Sequence, residues 1–322
     1  MASEAQIVLA GSVSFDHIMA YPGRFHPLIT AQGGEDFRLW FEAATMHLHH
    51  GGVSANIAYT MALLGGHPRL FATVGPDFAP YGERLQSLGV DCRSVVVLPE
   101  VATARFFAST DAENNQIGSF YAGAMAYAGD YGLESLAPPR PDWVVISPNA
   151  PAGMARHIAE CRRLAWPYIF DPSQQVAILG DEVLRDGILH AYALTCNEYE
   201  WDLIQHRTGL RIPDLMAGGV IFVHTLGEGG AMIYTPDESY PIPPYPPIQI
   251  LNPTGAGDAF RGGLLRGLSL GLPWPVCGRM GALCGTYALE QIGTQEHSFS
   301  RAEFVARYRR LWEDGELLAA LT

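Results

Sequence analysis

A chain of 322 residues that is 48% apolar holds enough material for one large α/β core, with or without a small appendage, and no run of it approaches membrane-spanning length. A formal net charge of −13 makes nucleic acid a poor partner, so a phosphate site would have to come from local geometry rather than a basic surface. All 20 basic residues are arginine, which excludes a P-loop lysine, a protein-kinase strand lysine and Schiff-base chemistry. The five cysteines (Cys92, Cys161, Cys196, Cys277, Cys284) lack zinc or disulfide spacing, and residues 1–6 carry no basic leader. A reduced cytoplasm is the expected setting.

Residues 7–10 read as a buried first strand closed by Gly11-Ser12. Asp16 follows just beyond its carboxyl end, the edge where open α/β sheets place ligands. Its carboxylate has the paired acceptor geometry for a vicinal diol, or it caps a turn. Between His17 and His50 the helical pattern is broken by Pro22, Gly23, Pro27 and Gly33-Gly34, so the segment reads as short strands leaving the main sheet to form a lid. His47, His49 and His50 have no carboxylate or cysteine at ligand spacing and read as a packed or solvated cluster. Gly51-Gly52 opens a helix that runs to Gly65-Gly66, with Asn56 in its first turn able to donate to and accept from a hydroxyl, or present there incidentally.

Residues 69–74 read as the next strand and 80–88 as a helix. Alternation over 103–110 and 116–121 around Asp111-Ala112-Glu113-Asn114-Asn115 predicts a hairpin, assigned to the lid. Phe106 and Phe120 there either stack on a flat base or pack against the neighbouring sheet. From Asp142 onward strands (143–147, 168–171, 193–197) alternate with helices (152–165, 179–190), which implies parallel strands covered on both faces. Asp171-Pro172 and Asn197 fall at strand ends. Asn197-Glu198-Tyr199-Glu200 reads on its own as a helix-capping Asn with an acidic first turn. Residues 220–225 read as another buried strand, followed by the glycine turn Leu226-Gly227-Glu228-Gly229-Gly230, whose glycines would admit a phosphate or ribose closely, and 232–234 return. A proline-rich connector, 241–247, leads onward.

Next come Leu251-Asn252-Pro253-Thr254-Gly255-Ala256-Gly257-Asp258-Ala259-Phe260-Arg261, read as a glycine turn into a buried helix. Free N–H groups of the first turn point at whatever sits before Gly255, which is an anion site by construction. Asp258 repels an anion there, and taking a proton from an attacking hydroxyl is the job that justifies it; the alternative is an acidic residue serving the helix dipole. Residues 276–289 form a helix of small residues, and 301–321 an amphipathic surface helix.

The run Asn252-x-x-Gly-Ala-Gly-Asp-Ala-Phe resembles the signature of the ribokinase-like (PfkB) carbohydrate and nucleoside kinases, with Asn252 standing where Asp is usual. The wording Pro-Thr-Gly-Ala-Gly-Asp-Ala-Phe-Arg-Gly-Gly is most similar to bacterial and archaeal nucleoside (adenosine) kinases. The resemblance implies an α/β core (1–12, 51–100, 126–322) of mostly parallel sheet with helices on both faces, and a β-sheet lid (13–50, 101–125). It implies Asp258 as the base, with Gly255, Ala256 and Gly257 as the anion hole. Asp16, Gly51, Gly52 and Asn56 would hold the sugar, with Phe106, Phe120 and Met125 of Ala122-Gly123-Ala124-Met125 near the acceptor. Asn197, Thr225, Gly227, Gly230, Asn252, Thr254 and Arg261 would border ATP, and Asn197 and Glu200 would govern Mg²⁺ through water. The implied reaction moves the γ-phosphoryl of ATP to the 5′-hydroxyl of a nucleoside, adenosine favoured. A sugar such as ribose or fructose is the first alternative acceptor, and a catalytically weak nucleoside-binding protein is the second. The partners implied are small molecules, not nucleic acid or membrane, with a possible homodimer through the lid.

Overall fold

In a computed structural model that describes residues 4–30 and 39–321, strand and helix alternate for most of the chain. The elements are β1 (Ile7–Ala10), β2 (Ser14–Ala20), α1 (Phe25–Thr30), β3 (Thr45–Gly51), α2 (Val53–Leu63), β4 (Arg69–Phe71), β5 (Thr73–Val74), α3 (Ala79–Ser87), β6 (Val96–Val97), β7 (Ala104–Thr110) and β8 (Gln116–Tyr121). They continue with β9 (Trp143–Ile146), α4 (Pro151–Arg163), β10 (Tyr168–Phe170), α5 (Asp181–Leu189), β11 (Ala193–Asn197), α6 (Glu198–Thr208), α7 (Ile212–Ala217) and β12 (Ile221–Thr225). β13 (Ala231–Tyr234), β14 (Ser239–Ile242), α8 (Ala256–Ser269), α9 (Trp274–Leu289) and α10 (Arg301–Tyr308) complete the chain.

The main sheet has the order β14-β13-β12-β11-β10-β9-β1-β4, parallel from β12 to β4 and antiparallel at β13 and β14. Its parallel strands are largely buried on both faces, so alternate residues feed two cores. Ile7 and Leu9 of β1 join the core under α2, α8 and α9, whereas Val8 and Ala10 join the one under α4 to α6. α8 lies close against α9 because a Cβ on Gly263 would come within 2.6 Å of the Met280 carbonyl, and one on Gly267 within 2.8 Å of Cys277 Sγ. A second sheet, β3-β2-β7-β8, stands off the carboxyl end of β1.

Several boundaries differ from the sequence reading, each for a local reason. Asp16 lies within β2 rather than in a turn. The segment expected to be short strands alone also holds α1, whose Pro27 occupies the first turn, where a missing N–H costs nothing; Gly33-Gly34 fall outside the described residues. Residues 69–74 divide between two sheets, β4 pairing with β1 and β5 with β6. The proline-rich connector begins inside edge strand β14, where Pro241 is tolerated because an edge leaves one side unpaired. The C-terminal helix stops at Tyr308, and a separate 3-10 turn spans Gly315–Leu321. All five cysteines are buried and free.

Candidate active site

The site lies along the carboxyl ends of β1, β10, β11 and β12, where the turn before α8 delivers its first residues. Asn252 Oδ1 accepts the Thr254 N–H at 2.7 Å, so a side chain rather than a ladder shapes the entry. Gly255 then takes a left-handed conformation at φ 86°. A Cβ there would meet Thr294 at 3.0 Å, so both the φ and the neighbour call for glycine. Ala256 N–H returns to the Pro253 carbonyl at 3.3 Å and Ala259 N–H to Gly255 at 2.9 Å. Among the described residues the N–H groups of Gly255, Gly257 and Asp258 have no backbone acceptor, which leaves three free donors within the turn that opens α8. These donors and the open turn fit a phosphate group.

Asp258 sits beside this turn, nearly buried, with 14% of its side chain still exposed. Its two oxygens are held by different arms. Oδ2 accepts from Asn56 Nδ2 at 2.8 Å, and Oδ1 lies 3.2 Å from Arg261 Nη1. Burial raises its pKa, against which Arg261 and then Asn56 pull it down. Arg261 does not point into the cleft alone. Its Nη2 reaches Asp171 Oδ1 at 2.8 Å and its Nε the Thr195 hydroxyl at 3.3 Å, so its donors are shared between two acids and a hydroxyl. Asp171 is completely buried at the end of β10, and burial pushes its carboxyl up to about 7 despite Arg261. Glu200 adds negative charge to both Asp171 and Asp258. Asp171 therefore keeps a proton that an isolated carboxylate would have lost by neutral pH.

Asp16 projects from β2 toward the same space. Gly51, at the end of β3, is the reason it fits, since a Cβ there would come within 2.5 Å of Asp16 Oδ2. Gly52 adopts φ 94° and would otherwise strike Val13 Cα at 2.4 Å. Burial pushes the Asp16 carboxyl up to about 6, partly offset by the Ser14 hydroxyl at 3.2 Å and by His49. Register places His49, Asp16, Phe106 and Phe120 in one cross-strand row of the second sheet. Phe120 is exposed at the edge strand, while Met125 is buried in a 3-10 turn below it.

On the other flank, Asn197 and Thr225 are register partners at the ends of β11 and β12. Asn197 and Glu200 form a reciprocal cap on α6, Asn197 Oδ1 accepting the Glu200 N–H at 2.8 Å and Glu200 Oε2 the Asn197 N–H at 2.9 Å. One Glu200 oxygen is thereby committed to the helix. A Cβ on Gly227 would meet nothing within 4 Å, so that turn is open, whereas one on Gly230 would strike the Ile242 carbonyl at 2.2 Å. Gly230 is therefore glycine for the sake of β14. Among the described residues no three His, Cys, Asp or Glu groups form a metal cage, so a cation here would lean on ligand phosphates and water.

Sequence reading gave Asp171 no role beyond its place at a strand end, and gave none to Gln295, whose Nε2 lies 2.9 Å from Asn56 Oδ1, or to Arg84, whose Nη1 lies 2.7 Å from Gln295 Oε1. Asp171-Pro172 after a buried strand was the available signal. Gln295 lies in an irregular loop where no periodicity points to it.

An open α/β sheet that presents an N–H cradle and an adjoining carboxylate at its carboxyl edge defines a phosphotransferase acting on a hydroxyl group. Residues 10–301 match the pfkB family carbohydrate kinase, and the chain belongs to that family, with a ribokinase-like fold. It is 32% identical over 267 residues to a nucleoside kinase of Methanothermobacter thermautotrophicus, covering 82% of this chain and 85% of that one. The solved structure of Burkholderia thailandensis nucleoside kinase in complex with inosine superposes with a TM-score of 0.82 at 34% identity, covering 95% of this chain and 98% of that one. The same enzyme in complex with ADP-inosine gives a TM-score of 0.80 at 34% identity, over 95% and 96% of the two chains.

Removal of Arg261 tests the charge cluster. Because folded Asp171 holds its proton to about pH 7, stability falls as pH rises from the ordinary carboxylate range through that value. Arg261→Met should therefore destabilise the fold by about 3–5 kcal/mol at pH 8 in urea unfolding, and by less at pH 5. An equal loss at both pH values would contradict the arrangement.

Proposed function

We propose that this protein is an ATP- and Mg²⁺-dependent nucleoside kinase that phosphorylates the 5′-hydroxyl of a purine nucleoside, adenosine favoured. The observation that carries the reading is Asp258, a nearly buried carboxylate fixed by two donors and set beside three N–H groups without backbone acceptors. Support for a nucleoside acceptor comes from the relatives at 32–34% identity, one of them with inosine bound. Nucleotide binding is supported by the ADP-inosine complex of that relative.

In this reading Asp258 takes the acceptor hydroxyl proton late in a loose transition state, while the N–H groups of Gly255, Gly257 and Asp258 stabilise charge on the transferred group. Mg²⁺ would neutralise phosphate charge, with Asn197 and Glu200 acting on it through water. Thr225, Gly227 and Thr254 line the side from which the nucleotide enters. Asp16 and Asn56 hold the acceptor sugar, with Phe106 and Phe120 alongside the base. Arg261 acts on Asp258 and the cradle rather than as a free clamp on phosphate. The second sheet serves as a lid, hinged at Gly51-Gly52, that excludes water on closing.

The deciding assay is ADP release from MgATP with adenosine, inosine, guanosine, cytidine, ribose and fructose. Turnover with a purine nucleoside supports the proposal, and turnover with the free sugars alone refutes it. Asp258→Asn should lower kcat by about three orders of magnitude or more with nucleoside affinity nearly intact, as expected for a group acting only in the transition state. A variant keeping a tenth of the wild-type rate would remove Asp258 from the base role.

Acceptor binding should also depend on pH. Because burial pushes Asp16 up to about 6, its charged form is lost as pH falls through that value, and nucleoside affinity should fall with it. Calorimetric titration from pH 5 to pH 8 reads this; Asp16→Asn should bind weakly and without that dependence. A flat wild-type profile would mean that Asp16 does not accept from the sugar.

The face of the second sheet opposite Asp16 supports a homodimer contact. Met46, Leu48 and Ile117 share it and are 64%, 57% and 39% exposed. Leu48→Glu should convert a dimer to a monomer in light scattering, and a wild type that is already monomeric would refute the contact.

A further inference from the structure

We infer that Gln295, anchored by Arg84, is a positioning residue for phosphoryl transfer, its side-chain amide deciding which end of Asn56 faces Asp258. This rests on Asp258 being the base. Three side chains make the chain of contacts. Arg84 Nη1 donates to Gln295 Oε1 at 2.7 Å, Gln295 Nε2 donates to Asn56 Oδ1 at 2.9 Å, and Asn56 Nδ2 donates to Asp258 Oδ2 at 2.8 Å.

Only one direction of donation satisfies the whole chain. A guanidinium has donors and no acceptor, so Gln295 must show Arg84 its oxygen, which leaves its NH2 facing Asn56. Asn56 must answer with its oxygen, and its own NH2 then meets Asp258. An ionised carboxylate only accepts, so the last link closes without conflict. Reversing either amide would set two oxygens or two NH2 groups face to face, twice over, in a site where Gln295 is 1% and Asn56 4% exposed.

Gln295 is held for this task rather than for the loop. Its Nε2 also meets the hydroxyl of fully buried Tyr81, which donates to the Gly51 carbonyl at 3.1 Å. Arg84 Nη2 binds the Gln295 carbonyl at 3.0 Å. The loop is pinned independently on both sides, by Thr294 Oγ1 to the His50 carbonyl at 2.7 Å and by the Tyr59 hydroxyl to the His297 carbonyl at 2.7 Å. Changing the Gln295 amide therefore alters the direction of the chain without releasing the loop.

The test is Gln295→Glu, which keeps an acceptor for Arg84 but has no N–H for Asn56, so that Asn56 is pressed to turn its oxygen toward Asp258. The inference predicts a kcat lower by about tenfold to a hundredfold, the scale for a reacting group displaced by remote change, with the KM for ATP within about threefold. Arg84→Met should act in the same direction, and Arg84→Lys, which still donates, should restore most of the rate. A second readout does not depend on the acceptor. The Asn56 side-chain amide signals in a nitrogen–proton correlation spectrum, identified by their loss in Asn56→Asp, should move in Gln295→Glu. An unchanged kcat, or unmoved Asn56 signals, would overturn the inference. A wild type inactive on every nucleoside would instead refute the acceptor assignment, and the Asn56 signals would then decide on Gln295. Should Gln295→Glu not fold, the Arg84 pair carries the same comparison.

Discussion

A carboxylate set beside free backbone N–H groups repels any anion that they attract, and much of the surrounding structure is committed to holding it there. Asp258 is kept in place by Asn56 on one oxygen and Arg261 on the other, and both arms are themselves anchored, Asn56 through Gln295 and Arg261 through Asp171. Burial draws the carboxyl toward its protonated form, and the two donors draw it back. That balance suits a base, which must be charged before the reaction and able to hold a proton after it.

The fold supplies those anchors from distant parts of the chain. Asp171 closes β10, Asn56 opens α2, Arg261 lies one turn into α8, and Gln295 follows α9. Only Asp171 comes from the end of a parallel strand; α2 is delivered by β3 of the second sheet, and α8 by the connector after antiparallel β14, so the three meet at the carboxyl edge by different routes. The loop carrying Thr294 and Gln295 joins them to the second sheet. It limits Gly255 to glycine, binds the His50 carbonyl and, through Tyr81, reaches Gly51. The second sheet is thereby tied through Gly51, Tyr81 and Gln295 to the Asn56–Asp258 contact.

The cradle was legible in sequence because its chemistry is local. Gly255, Gly257 and Asp258 are neighbours in the chain, and the helical spacing after them marks where the free N–H groups point. The alternation after Asp142 gave the parallel sheet for the same reason, since burial on both faces leaves a continuous apolar run. What the sequence concealed is contact across distance. Nothing near Arg261 announces Asp171, 90 residues earlier by number, as its partner, and it reads naturally as a phosphate ligand. Asn197 and Glu200 were open between a cap and a metal role, and the cap is formed; it leaves part of each side chain for water. Gly230 reads like Gly227, yet its glycine answers to the Ile242 carbonyl. Asn252 accepts the Thr254 N–H with an oxygen that either Asp or Asn would offer, so its departure from the family signature leaves the turn intact.

The central claim is that an acceptor hydroxyl and a transferable phosphate meet between Asp258 and the N–H groups beside it. A crystal structure with adenosine and a non-hydrolysable ATP analogue measures this directly. The account predicts the 5′-oxygen within about 3.2 Å of an Asp258 oxygen, the reach of a general base, and the terminal phosphate against the N–H groups of Gly255, Gly257 and Asp258. A nucleoside bound with that oxygen turned away from Asp258, or a terminal phosphate held elsewhere, would contradict it.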